Sequence, residues 1–538
     1  MHSYVRPRRS VTNALVSIVS ILASSLALAL GTMLVPRTAA AQSNYRLAPV
    51  GGRTTLVGGT GLAYGRDSAS AFLNPATVVR VDPGRLAFSV NFYELSLFSA
   101  SRWYTPGPVD RPHFGDVAGS DASVQSVAFD TLPSSLCIFL RVGDIKWLAG
   151  EASKDLRENQ ARLGICLATV QQSDFTFDRE DFSSVNPTGG TRQSQTIRQT
   201  FRRIAVGPTY AMYITNALAL GASIHASRAA YRSLFESTAT TYGGVSPVTS
   251  IFYSSARGDS YDLSATLGAT YRIGRYQTVA AALELPSVHL FGPGGLNKYS
   301  HFDGAGDGTS SITANGNFAA YTPMRIALGT GIERSWGSAE VNVSYHLPVA
   351  SAYTAKLDGR TLDVKNGVAT DRAAALNLST PARGAVNFGV GGEVIIAPYL
   401  TLLSGVSTDL TTVPKGNLLA DPMNYFPSRT NRVGVSLGLG SHGEGGDLYL
   451  GGELSYTWGE RLAINAYQLP AVLDTTPTQT FGLLVVIAGS TSFKAIRRAV
   501  NDLSNAVDPS AADPKKKPAP AKPVPAPTPA GTTPDPKG

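Results

Sequence analysis

Between Tyr261 and Leu285 apolar and small or polar residues alternate one by one. Tyr261, Leu263, Ala265, Leu267, Ala269, Tyr271 and Ile273 fall on one face; Asp262, Ser264, Thr266, Gly268, Thr270 and Arg272 fall on the other. After Gly274-Arg275-Tyr276, the residues Val279, Ala281, Leu283 and Leu285 resume the apolar side. A period of two over this length predicts a hairpin whose strands have unlike faces. Its arms are about twice the usual globular strand length, enough for the ~9–11 tilted residues that cross a bilayer. Apolar outside and polar inside is the pattern of a membrane barrel.

The pattern recurs along the chain. Leu86, Phe88, Val90 and Phe92 alternate with Ala87, Ser89 and Asn91, and the phase then slips, which predicts a bulge near Tyr93-Glu94. Further strands are expected near 134–141, 161–177, 196–213, 217–236, 258–273, 277–287, 323–335, 339–348, 384–396, 400–408, 431–440, 447–458 and 480–493. With the first, that makes 14, an even number as in bacterial outer-membrane barrels. Their connections fall into two alternating classes. Ile214-Thr215-Asn216, Gly274-Arg275-Tyr276, Gly337-Ser338, Pro398-Tyr399 and 441–446 are short; 102–133, 178–195, 237–257, 288–322, 349–383, 409–430 and 459–479 are long and polar. Short periplasmic turns and long outer loops are expected of such a barrel. Trp103, Trp336, Trp458, Tyr276 and Tyr399 fall at strand ends, where interfacial aromatics belong. The expected fold is therefore an all-β, 14-stranded antiparallel transmembrane barrel over 86–493.

The flanks read differently. Residues 1–41 have a basic front (Arg6, Arg8, Arg9), an apolar body from Leu15 to Val35 and small residues Ala39-Ala40-Ala41, the order of a secretory signal peptide. Residues 42–85 are Gly-rich without long alternation, and are expected to form a hatch inside the lumen. A short helix from Asp67 or Ser68 should end at Asn74-Pro75. Residues 494–507 suit a short basic helix, and 508–538 are a Pro/Ala/Lys-rich tail expected to be disordered, with a periplasmic contact open to it.

Composition narrows the function. The chain has 538 residues, 43% hydrophobic and 16% charged, and no 18-residue apolar run after the first forty, which excludes a polytopic helical membrane protein. The net charge of +8 sits largely at the two ends, with no basic stripe carrying stacking aromatics, so nucleic acid is not an expected partner. Cys137 and Cys166 are read as two inert small side chains facing the lumen from neighbouring strands, with a single bridge as the alternative. Gly434-Val435-Ser436-Leu437-Gly438 matches a nucleophile elbow but sits within an alternating strand. Asp303 to Gly308 reads as a turn-rich loop rather than a calcium site, and the histidines have no metal spacing. No cofactor and no enzymatic activity are expected. Glu284, Glu333, Glu340, Glu393, Glu453, Arg272 and Arg325 are expected to pair within the bore.

Asp67-Ser68-Ala69-Ser70-Ala71-Phe72-Leu73-Asn74-Pro75-Ala76, after a Gly-rich run and before the first strand, resembles the Asn-Pro-Ala signature of the FadL family. Ser264 to Tyr271 with Leu285-Pro286-Ser287, Pro323 to Gly329 before Trp336, and Leu402 to Asp409 are similar to that family as well. Thr77 stands where the family usually has glycine. The resemblance implies a monomeric outer-membrane barrel of a Gram-negative bacterium that takes up long-chain fatty acids or other hydrophobic small molecules. It implies a hatch carrying Asn74, Pro75 and Ala76, and lateral release of the ligand into outer-membrane lipid beside a kinked strand. The alternative is a structural or adhesive barrel without transport activity, which would have its lumen packed shut.

Overall fold

A computed structural model describes residues 50–100, 104–105, 122–128, 134–142, 161–186, 189–242, 246–303, 308–414, 428–443, 445–465 and 472–496. The signal segment, most of the basic helix and the tail lie outside the described residues, although 493–496 begin a helical turn.

The strands are β1 Arg85–Ala100, β2 in two pieces (Ala122–Ala128 and Ser135–Arg141), β3 Arg162–Asn186, β4 Gly189–Tyr213, β5 Leu218–Tyr242 and β6 Val248–Ile273. Then come β7 in three pieces (Gln277–Glu284, Val288–Phe291, Pro293–Phe302), β8 in two (Gly308–Ala320, Arg325–Arg334), β9 in two (Gly337–His346, Val349–Lys365) and β10 in two (Val368–Ala382, Ala385–Ala397). The series ends with β11 Leu400–Asp409, β12 Arg429–Gly443, β13 Gly446–Asn465 and β14 Val472–Ser492. Each pairs antiparallel with the next. The sheet closes on itself through β1 and β14, from Arg85 opposite Ser492 to Ala100 opposite Thr478. This is a closed 14-stranded antiparallel barrel. The expected bulge in β1 is present, between Asn91 and Tyr93.

The two faces meet different surroundings, as the alternation requires. Leu267 is 47% exposed on the outside, whereas its neighbour Thr266 is 3% exposed toward the lumen. Leu448, Leu450 and Leu454 face outward while Tyr449 and Glu453 are buried inside. Tyr276, Trp336 and Tyr399 lie exposed beside the short turns; Trp103 lies outside the described residues. The turns at 214–217, 274–276 and 398–399 are as short as expected, and the one expected at Gly337-Ser338 falls instead at 335–336, with Gly337 and Ser338 opening β9. Gly274 takes φ +62° in its turn, a left-handed value that glycine adopts without steric cost.

The long connections need correction. Much of 178–195, 237–257, 288–322 and 349–383 is strand rather than loop, so β3, β4 and β5 run for 25 residues and β6 for 26. Beyond the bilayer the outer face meets water and no longer needs apolar residues. The signal that marks a membrane strand therefore fades while the hydrogen-bonded ladder continues. In β7 to β10 the ladder breaks at one level, beside Pro286, Pro323 and Pro348, which lack an N–H donor, in β7, β8 and β9, and at Arg383-Gly384 in β10.

Candidate functional site

The segment before β1 fills the lumen. It holds two short helices, α1 Gly52–Leu56 and α2 Ser70–Leu73, and a 3-10 turn Pro75–Arg80. Gly51 caps α1 without a side chain, and Asp67 supplies the missing acceptor from a distance. Its carboxylate accepts from Thr54 N at 2.8 Å, Thr54 Oγ1 at 2.9 Å and Ala69 N at 3.2 Å. The expected helix around 68–73 is present. Asn74 does more than break it: its Oδ1 accepts from Ala76 N at 3.1 Å and starts the next turn, with Pro75 in the first helical position.

Asn74 also ties the segment together and to the wall. Its Nδ2 donates to Leu62 O at 2.6 Å and to Ala269 O at 3.3 Å. Asn74, Pro75 and Ala76 reach the wall at Gly221 and Gly268, which sit opposite each other on β5 and β6; a Cβ at either would overlap Pro75, Ala76 or Asn74. Two other opposed glycine pairs repeat this arrangement, Gly391–Gly405 under Val57-Gly58 and Gly438–Gly451 under Leu56. Close backbone approach, rather than turn geometry, explains glycine in the middle of these strands.

Charge fixes the seat. Arg53 donates from Nε to Glu393 at 2.8 Å, and also to Tyr64 O at 3.0 Å and Ser338 Oγ at 3.3 Å. Glu340 accepts three backbone N–H groups of the hatch: Gly61 at 2.9 Å, Ala63 at 2.9 Å and Tyr64 at 3.1 Å. Of the acids and bases expected to pair in the bore, Glu284 meets Arg325 at 2.9 Å and Glu453 meets Arg432 at 2.9 Å. Glu333 holds Arg66 and Arg80. Two differ from expectation: Glu340 binds backbone amides, and Arg272 donates to Asn216 O at 2.8 Å. The roles of Arg53 and Glu340 were not legible in sequence. Arg53 is the one charged residue in an otherwise Gly/Thr/Leu/Val run from Gly51 to Gly61, and that was the available signal.

Between the hatch and the outer part of the wall lies a cavity of about 140 Å³. Val50, Leu62, Phe72, Leu73 and Val170 give it apolar surface, and Gln171, Arg203, His225, Asn342 and Ser407 give it polar atoms. Arg203 Nε, His225 Nε2, Asn342 Oδ1 and Ser407 Oγ are buried there without a protein hydrogen-bond partner. Phe72 stacks on His225 with ring centroids 4.5 Å apart. Farther out, Phe98, Phe175, Phe177, Ile197, Phe235 and Leu462 form a second apolar cluster, with Arg461 lying 4.1 Å over the Phe175 ring.

The wall changes beside this cavity. The inner piece of β2 pairs with β3 from Arg141 opposite Arg162 to Ser135 opposite Ala168. The outer piece, Ala122–Ala128, pairs with β1. Among the described residues it shares no ladder with β3. At the point of divergence β3 has a register shift between Thr169 and Gln171 against β4. Val170 and Gln171, which line the cavity, occupy this kink. Just inside it, Cys137 and Cys166 sit opposite each other and are joined as a disulfide. This corrects the reading of two inert thiols. Register decided the matter, because strands that are only known to be neighbours leave the pairing of individual residues open.

Ser260, Asp262 and His289 lie together, but not as a nucleophile relay. The Ser260 hydroxyl donates to Asp262 at 2.8 Å and accepts from Ala320 N at 3.1 Å, and His289 Nδ1 meets both Ser260 and Asp262. The cluster bridges β6, β7 and β8 near the breaks in β7 and β8. Gly434 to Gly438 lie inside β12, as expected. Residues 304–307 lie outside the described residues.

No family model and no curated protein matches the chain. Among solved structures it is similar to the toluene transporter TodX of Pseudomonas putida, at 14% identity over 84% of this chain and 100% of that one, with a TM-score of 0.48. It is similar to the toluene transporter TbuX of Ralstonia pickettii at 14% identity, over 82% and 98%, with a TM-score of 0.43. It is also similar to a FadL homologue of Pseudomonas aeruginosa at 14% identity, over 85% and 100%, with a TM-score of 0.47, and FadL is the family that Asp67 to Ala76 resemble.

Proposed function

We propose that the chain is a monomeric outer-membrane channel for hydrophobic small molecules, acting by passive, hatch-gated uptake. The observation that carries this reading is the meeting of cavity and wall break at Val170-Gln171. A polar bore is a poor route for an apolar solute, because each CH₂ kept in water forgoes ~0.8 kcal/mol of burial. A path from the cavity through the divergence of β2 and β3 leads directly to hydrocarbon and avoids that cost. The kinked strand expected from the family resemblance is then β3.

The cavity size bears on cargo. About 140 Å³ is close to a cavity that takes up a benzene-sized molecule, and too small for a long acyl chain without movement of the hatch. Compact hydrocarbons are the cargo that fits the hatch as it sits; fatty acids require Phe72 and Leu73 to withdraw. A purely structural or adhesive barrel would have no use for a cavity here, and the apolar surface of Val50, Leu62, Phe72, Leu73 and Val170 around it favours the channel reading.

Uptake of radiolabelled toluene and palmitate by a Gram-negative host without such a channel tests this. Expression of the chain should raise uptake of toluene several-fold. Val170→Trp should return it to the background rate while the barrel still assembles, as judged by heat-modifiable mobility on gels. Wild-type uptake no faster than the empty vector for either compound would defeat the reading.

A further inference from the structure

At the end of the barrel that carries the short turns, a cleft of about 590 Å³ opens beneath the hatch. Four guanidinium groups line it, from Arg80, Arg272, Arg275 and Arg334, together with Tyr276 and Trp336. Glu333 is the one carboxylate among the lining residues, and it is already held by Arg66 and Arg80. Among the described residues Arg272, Arg275 and Arg334 take part in no ion pair. Four positive groups against one shared negative group leave a strong local excess of positive charge.

The guanidinium planes are held rather than adrift. Arg334 stacks 4.5 Å from the Tyr276 ring centroid, Arg275 lies 5.6 Å from the same ring, and Arg80 lies 4.8 Å from Tyr64. Stacking on an aromatic face leaves the edge N–H donors of a guanidinium free to reach an oxyanion. Desolvation, with a smaller part from like-charged neighbours, pulls Arg66 and Arg80, both on the hatch, below the usual arginine pKa. A bound anion would offset the repulsion between these like charges.

We propose that this cleft is a phosphate-binding site at the periplasmic mouth, formed by Arg272, Arg275 and Arg334 with Arg80 at its inner end. A phosphate group is favoured over a carboxylate because a charge near −2 and three acceptor oxygens better match several forked donors. Tyr276 and Trp336 are exposed at the edge of the apolar band, where lipid headgroups sit, so the phosphate belongs either to a lipid that carries a phosphate monoester or to a free anion. The site is distinct from the cavity above the hatch and does not depend on what that cavity carries.

The test uses the full chain in neutral maltoside detergent, titrated calorimetrically with inorganic phosphate, decyl phosphate and, as a neutral control, decanol. Decyl phosphate should bind saturably, and more weakly as salt rises. Arg275→Gln/Arg334→Gln should weaken it at least about tenfold, the loss of one or more charge-assisted hydrogen bonds. The control pair Arg360→Gln/Arg372→Gln, which removes the same charge from the outer hairpins, should leave it unchanged. Decyl phosphate binding much more tightly than inorganic phosphate assigns the site to a lipid headgroup; equal affinities assign it to the free anion. Decanol binding as well as decyl phosphate, Arg275→Gln/Arg334→Gln behaving as wild type, or both double variants weakening binding alike overturns the proposal.

Discussion

Glu340 shows how much a single lumenal carboxylate can organise. Three hatch amides converge on it, so Glu340→Ala removes three charge-assisted bonds at once. At about 1.5–3 kcal/mol for hydrogen bonds to a charged group, protection of the Gly61 to Tyr64 amides in hydrogen-exchange mass spectrometry should fall at least about tenfold, with the barrel amides unchanged. Unaltered protection would mean that Glu340 does not hold the hatch. Gly268 makes the complementary case from the wall. Gly268→Val drives a side chain into Asn74, and the expected result is a displaced hatch, seen as higher conductance in planar bilayers. Leu267, one residue away, faces the other solvent: Leu267→Arg should cost about 2–4 kcal/mol near the midplane. Folding titrations into lipid vesicles measure that loss, and Leu267→Met should show none of it.

Among the elements, β2 and β3 stand apart because they separate where their neighbours stay joined. The disulfide between Cys137 and Cys166 lies in the last well-paired stretch of that seam. It closes a 29-residue separation, and a bridge of this kind contributes typically about 2–4 kcal/mol. Cys137→Ser/Cys166→Ser should therefore lower the temperature at which the barrel loses its compact mobility on gels, and reductant should do the same to wild type while leaving the variant unaffected. An unchanged transition in both would show that the seam is held by its ladder alone. Proline acts in the opposite direction in β7, β8 and β9, where the ladder breaks at Pro286, Pro323 and Pro348 and the outer halves pair separately.

For the whole molecule, closure and filling go together. A 14-stranded barrel is too wide for its own side chains to fill, and the hatch occupies that space through three glycine-lined seats and three carboxylates, Glu333, Glu340 and Glu393. In the channel proposed above, opening comes from movement of the hatch; among the described residues the wall ladder is interrupted at the β2–β3 divergence and at the level of the breaks in β7 to β10. Hatch-loosening substitutions such as Gly268→Val should therefore raise conductance to small ions before they affect assembly. The two readouts together separate gating from folding.

The alternation of side chains dictated the faces, the strand count and the placement of short turns, because a residue meeting hydrocarbon and a residue meeting water obey opposite transfer energies at every second position. Asn74-Pro75-Ala76 likewise announced a helix break from local geometry alone. The sequence could not show where the strands end beyond the bilayer, since there both faces meet water and the period loses its meaning. Register belongs to the tertiary structure as well: the disulfide, the opposed glycine pairs, the grip of Glu340 on the hatch and the gathering of Arg80, Arg272, Arg275 and Arg334 all depend on which residue stands opposite which. A one-residue shift would have left the composition of each strand unchanged and removed every one of them.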